Sequence, residues 1–394
     1  MTSTSARLSR RRLLQASAAA TLVFPLHSLA SADAAKTNKA DAAKSAASQR
    51  DLSKYSSRAR AIVERALVID MLAPLRLDLR EDAYAFPLTD AQIADFRLSG
   101  IDVFHNSWGL TGPDARERVA EHLAGWHGYV ARQSDLFTLV GKAADLDRAK
   151  REGKIAVISG VQNAEHFRSR ADVKFFHGLG LRCAQLTYNS QTVIGSGSTE
   201  REDGGLSDYG VEIVAEMEKV GMLIDVSHCG ERTTLDAIEF AKGPIAITHS
   251  NCRALNDHPR LKSDEAIRKL AAKGGVMGIT GVRMFVSAKE PTTLETMVDH
   301  IDHVAKLVGI EHVGIGSDAD LYGYDALPAE QLKELKAAYK ASYGFRERID
   351  IEGFDRPTKT FELTEALIRR GYSDGDIEAV LGGNFRRLLG QVWR

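Results

Sequence analysis

The sequence predicts a (β/α)8 barrel, the TIM-barrel class of α/β fold, with a helical C-terminal extension. Short apolar runs bounded by Gly, Pro or Asp alternate with amphipathic stretches, the pattern of parallel βα units. There are eight such runs, the number that closes a TIM barrel. Each run is almost continuously hydrophobic, as a strand buried on both faces must be. An open doubly wound sheet is the structural rival. Its nucleotide-binding forms place a Gly-rich turn after the first strand, and "DMLAPL" supplies none.

Taken in order, the chain opens with 34 residues unlike the rest. An Arg cluster (Arg10, Arg11, Arg12) precedes a short apolar stretch, Leu13 to Leu26, and small-x-small motifs end at Ala30 and Ala34. The stretch is too short to cross a bilayer core of about 30 Å as a helix. It reads as an export signal, and Ser9 to Gln15 resembles the twin-arginine consensus, so the expected destination is the periplasm; an ordinary secretory signal is the alternative. Residues 35–50, rich in Ala, Lys and Ser, read as a flexible tether, and residues 51–394 as a single barrel domain.

The eight expected strands are "ALVIDML" (66–72), "GIDVFHNSW" (100–108), "KIAVISGVQ" (154–162), "LRCAQLTY" (181–188), "GMLIDVSH" (221–228), "PIAITHS" (244–250), "GGVMGIT" (274–280) and "HVGIGSD" (312–318). Between them "TDAQIADFRLSG" starts a helix on a Thr cap and "SDYGVEIVAEMEKVG" ends one on Gly. The tail from about Pro357 is expected to be helical and to pack on the barrel. His300 and His303, at i, i+3 in "VDHIDHVAK", read as helix-surface residues. The segment Asn189 to Leu206 is a long loop, and such loops are usually functional lids or mobile.

The 394 residues are 44% hydrophobic and carry a formal net charge of −1. That balance gives no electrostatic reason to expect nucleic acid or an anionic membrane as partner, and no span is expected in the mature chain. A small molecule fits better. The three cysteines, Cys183, Cys229 and Cys252, are no disulfide framework. Cys229 and Cys252 remain open as soft ligands, as one bridge between neighbouring loops, or as small buried residues.

In a barrel of this class chemistry gathers where the strands end. The last polar residue of each run is Asp70, His105, Gln162, Tyr188, His228, His249, Thr280 and Asp318. His228 and His249 end consecutive strands and so should be neighbours, and two imidazoles with a carboxylate such as Asp318 suit zinc. Arg260, in "NDHPR", is placed for a bidentate clamp on a substrate carboxylate.

Together "VAEMEKVGMLIDVSHC", "IAITHSNCRAL", "DHPR", "VDHIDHVAKLVGIEHVGIGSDAD" and "IRRGYSDGDIEAVLGGNFRRLL" resemble the membrane dipeptidase (renal dipeptidase) family of zinc peptidases. The resemblance implies a homodimeric TIM barrel in which two zinc ions share a bridging carboxylate and hydrolyse dipeptides. It assigns His228 and His249 to one zinc, Asp318 to catalysis and Arg260 to the substrate carboxylate. It also shows losses. Leu72 and Pro74 stand where the family has a His-x-Asp pair, Gln162 where it has the bridging Glu, and Tyr188 where it has a His. Two divalent cations about 3.5 to 4 Å apart need anionic ligands between them, so at most one zinc is expected. The expected site therefore comprises Asp318 and Tyr188 for catalysis, Arg260 and His105 for substrate, and His228, His249, Asp318 and Gln162 for metal, with His105 or Asp70 reinforcing the emptied half. The expected activity is hydrolysis of a dipeptide or small peptide-like amide. The alternative is binding or tailoring of a peptide-like metabolite without hydrolysis.

Overall fold

The computed structural model describes residues 51–393 apart from Leu79 and Glu81. The expected export signal and tether lie outside the described residues.

All eight apolar runs contain strands, and all pairings are parallel. The strands are β1 (Ile69–Asp70), β2 (Val103–Trp108), β3 (Phe137–Leu139), β4 (Ile155–Val161), β5 (Cys183–Gln185), β6 (Leu223–Asp225), β7 (Ala246–Ser250), β8 (Val276–Ile279) and β9 (Val313–Ile315). β1 pairs with both β2 and β9, and β2 pairs with β4, so eight strands close into a ring. The ninth, β3, was not expected from the sequence. It pairs with the start of β4, Phe137 against Ile155, along the edge whose later half takes β5, Gly160 against Cys183. Three residues filling an edge that β5 has not yet reached leave no periodic signature in a sequence.

The period of two along each strand sorts side chains between two apolar layers. Val103, Ala156, Cys183, Leu223, Ala246 and Val276 belong to the interior cluster. Their immediate successors Phe104, Val157, Ala184, Ile224, Ile247 and Met277 belong to the layer under the helices. The helix Asn384–Val392 closes the interior from the strand-start end, adding Phe385, Leu388, Leu389 and Trp393 to the inner cluster. A Cβ at Gly314 would collide with the Phe385 ring, and Trp393 Nε1 donates to Arg182 O at 3.2 Å. With that end plugged, the open end is where the strands finish.

Helix boundaries follow the local chemistry. Thr89 forms a capping box with Gln92, and Gly221 ends the helix Asp208–Val220 in the left-handed region at φ 73°.

Two expectations are corrected. His300 is not on a surface: it is 1% exposed on the apolar side of the helix Leu294–Val308, beside Met297 and Ile301. Its Nδ1 accepts from Cys252 N at 3.1 Å and its Nε2 lies 2.9 Å from Val286 O. His303 is partly exposed and pairs with Asp264 at 2.7 Å. Asp70 does not face the barrel mouth. Its neighbours Ile69 and Met71 point inward, so Asp70 points to the helix layer, where its Oδ2 is 3.6 Å from Lys359 Nζ. Thr280 is buried, its hydroxyl donating to Ser317 O. The three cysteines are free and buried.

Candidate active site

Two imidazoles meet at the open end. His249 lies on β7 and His228 three residues past the end of β6, and their Nε2 atoms are 3.0 Å apart. Their tautomers follow from what holds the other nitrogen. Thr248 Oγ1 donates to Asp225 Oδ2 at 2.8 Å, so it accepts from His249 Nδ1, also at 2.8 Å. Asn189 Oδ1 is the acceptor for His228 Nδ1 at 2.8 Å. Each ring thus carries its proton on Nδ1 and presents an Nε2 lone pair. Burial, and then the nearby Arg260 charge, push both pKa values well below the ordinary histidine value, which keeps both rings neutral.

Two lone pairs facing each other at 3.0 Å repel unless a cation lies between them. Tetrahedral zinc with Zn–N of 2.0–2.1 Å would put its nitrogens roughly 3.3 Å apart, so the pair fits that ion. Orienting each ring through its second nitrogen is how metal-binding histidines are usually held. Among the described residues no group of three His, Cys, Asp or Glu gathers at one point, and the facing Nε2 atoms of His228 and His249 are the donors brought together.

Beside the pair lies a cavity lined by Asp318, Tyr188 and a largely aromatic wall. Asp318 follows β9 in the left-handed region, at φ 61°, with its N–H donating to Leu72 O at 2.8 Å. A non-glycine residue held there costs conformational energy and re-aims its side chain. Burial raises its carboxyl pKa to about 7; Asp70 and Asp225 add to the rise and Arg260 opposes it. That value suits a group that gives and takes protons near neutrality. Tyr188 stacks on His228 with centroids 4.2 Å apart and shares a 2.9 Å hydrogen bond with Tyr339. Its burial holds the phenol well above its ordinary pKa, hence protonated.

The other expected residues sit around this centre. Arg260 is fully buried: one terminal nitrogen donates to Ser227 O and the other to His249 O at 3.0 Å, while Nε has no partner among the described residues. The guanidinium ties together the backbone that carries the two histidines. His105 is 1% exposed inside the barrel, with Nδ1 2.6 Å from Met71 O and Nε2 without a partner. Gly160 leaves it room, since a Cβ there would collide with His105 Nε2. Gln162 donates to Ser107 O at 3.1 Å, and its Oε1 is buried without a partner. Neither lines the cavity. Gln185 Oε1 and Ser107 Oγ are also buried and, among the described residues, without a partner; with His105 and Gln162 they lie on or just past β2, β4 and β5, which neighbour one another in the ring.

Sequence reasoning missed the residues that hold the centre. Asn189 and Asp225 orient the imidazoles, and the segment after β9 supplies Tyr339 and Tyr343. The loop Asn189 to Leu206 is no open lid: it is pinned by Ser198 N donating to His228 O at 2.7 Å and by the bridge Gly197 with Cys229. The readable signal was "YGYDALPAEQLKELKAAYKASYGF", an aromatic-rich stretch following the last strand.

A sequence profile described as membrane dipeptidase (Peptidase family M19) matches residues 56–339. The dipeptidase verJ of Clonostachys rogersoniana is 31% identical over 269 residues, 68% of this chain and 63% of that protein. The dipeptidase tcpJ of Claviceps purpurea is 28% identical over 264 residues, 66% of this chain and 56% of that protein. The match thus spans less than two thirds of either relative. A solved amidohydrolase from Pseudomonas aeruginosa superposes with a TM-score of 0.73 at 29% identity, covering 85% of this chain and 99% of that one.

Proposed function

Because the chain belongs to the membrane dipeptidase family, a family of metallopeptidases, we propose that it is a metal-dependent hydrolase of a dipeptide or small peptide-like amide. The observation that carries this is the convergence of His228 Nε2 and His249 Nε2, 3.0 Å apart, beside a cavity whose one carboxyl is Asp318. Zinc bound there, one ion per chain, would polarise the scissile carbonyl and acidify water. Asp318 takes the proton of the attacking water and returns it to the leaving amine. Tyr188 keeps His228 in place by stacking and offers a phenolic proton. Arg260 fixes the backbone of both histidine-bearing segments and supplies the positive charge that favours a substrate carboxylate. Gln162 and His105, with unpartnered acceptor atoms on the emptied side, hold water or a polar substrate group there rather than a second ion.

The reading extends to a periplasmic protein exported through the twin-arginine-type signal and assembled as a homodimer. No helix among the described residues is long and apolar enough to cross a membrane. The alternative, binding or tailoring of a peptide-like metabolite, draws on Leu72, Pro74, Gln162 and Tyr188 standing where the family's other site residues belong. Turnover of a dipeptide panel with added zinc and with a chelator separates the two. Chelator-sensitive hydrolysis is expected; absence of turnover with any divalent metal would sink the hydrolase.

A further inference from the structure

The wall of the cavity away from Asp318 is made by chain that follows β9. The helix Ala329–Ala337 leads into Tyr339, the turn Ala341–Tyr343 and Phe345. These rings form a connected network: Tyr339 to Tyr343 at 4.6 Å, Tyr343 to Phe345 at 5.1 Å, Tyr339 to Phe345 at 5.3 Å and 75°, and Phe285 to Tyr343 at 5.3 Å and 79°. Tyr324 lines the same space. The network reaches the histidines through Tyr188, which bonds Tyr339 and stacks on His228.

The wall is also anchored. His258 Nε2 lies 2.9 Å from Tyr343 O, and Lys340 Nζ donates to Thr199 O at 3.0 Å. Tyr343 and Phe345 both line the cavity, as does Tyr339.

We propose that this roof selects an aromatic side chain in the substrate, a reading that rests on the peptide-like ligand proposed above. Edge-to-face and offset pairs already fill the wall, and an incoming ring extends that set, whereas an aliphatic chain of equal area gains burial alone. The roof is joined to His228 through Tyr188, so a ring seated against Tyr343 and Phe345 brings its amide towards Asp318 and the imidazole pair.

Equilibrium binding tests this separately from hydrolysis. Calorimetry on the full mature chain in chelator compares Ala-Phe and Ala-Tyr with Ala-Leu and Ala-Ala. On the order of tenfold tighter binding of the aromatic dipeptides over Ala-Leu is expected, as two additional ring pairs would supply. Tyr343→Leu with Phe345→Leu should erase the preference, and Tyr343→Phe should keep it. Aromatic preference without turnover in the zinc-loaded enzyme leaves the roof standing and removes the hydrolase. Equal affinity for Ala-Phe and Ala-Leu overturns the roof whatever the turnover. Binding of neither class overturns the roof, and turnover in the zinc-loaded enzyme then decides the hydrolase by itself.

Discussion

At His249 the position of one proton decides what the residue can do. Thr248 gives its own proton to Asp225, so His249 Nδ1 must donate and Nε2 must be free. Thr248→Val removes that acceptor, and Asn189→Ala removes its counterpart at His228. Each is expected to weaken zinc affinity roughly 10- to 100-fold with little effect on the fold, measured by competition with a chelating dye. Asp318 gives a pH signature in metal-free protein. Its folded pKa, about 7, lies above the ordinary carboxylate value, so between roughly pH 4 and 7 the native state holds a proton that the unfolded chain has released. Its contribution to stability is fully present below about pH 4 and is lost as pH rises through 7. Asp318→Asn should therefore gain on the wild type across that window by up to about 4 kcal/mol in urea unfolding, while hydrolysis is lost. The histidines and Asp318 were legible because each ends an apolar run. Asn189 was not, since its role depends on a loop folding back over His228, and nothing in a polar Asn-Ser pair announces that.

The barrel strands were legible as elements because burial on both faces leaves unbroken apolar runs. Which face a residue takes was harder to read. Asp70 looked like a mouth residue from its place at the end of a run, but the alternation set by Ile69 and Met71 sends it outward to Lys359. His300 shows the same limit on a helix, where one polar residue within the apolar stripe packs inward and satisfies both ring nitrogens through backbone groups. The C-terminal helix carries a separate prediction. Phe385 plugs the barrel where Gly314 makes room, so Phe385→Ala should cost about 3–5 kcal/mol in urea unfolding. Because the plug and the histidines occupy opposite ends of the strands, the zinc stoichiometry of the folded variant should not change.

Across the whole molecule, a plugged end and an open end divide stability from chemistry, as strand order in a parallel barrel requires. The proposed twin-arginine export has its own test: Arg10→Lys with Arg11→Lys should retain the protein in the cytoplasm on cell fractionation, whereas an ordinary secretory signal would tolerate the exchange. We propose that one ion is shared by His228 and His249 and that the opposite half of the mouth, with Leu72, Pro74 and Gln162, holds none. Metal content after equilibrium dialysis against buffered zinc measures this directly, on the wild type and on His228→Ala. One tightly held equivalent in the first and none in the second is the predicted result; two tight equivalents in the wild type, or an undiminished equivalent in the variant, would contradict it.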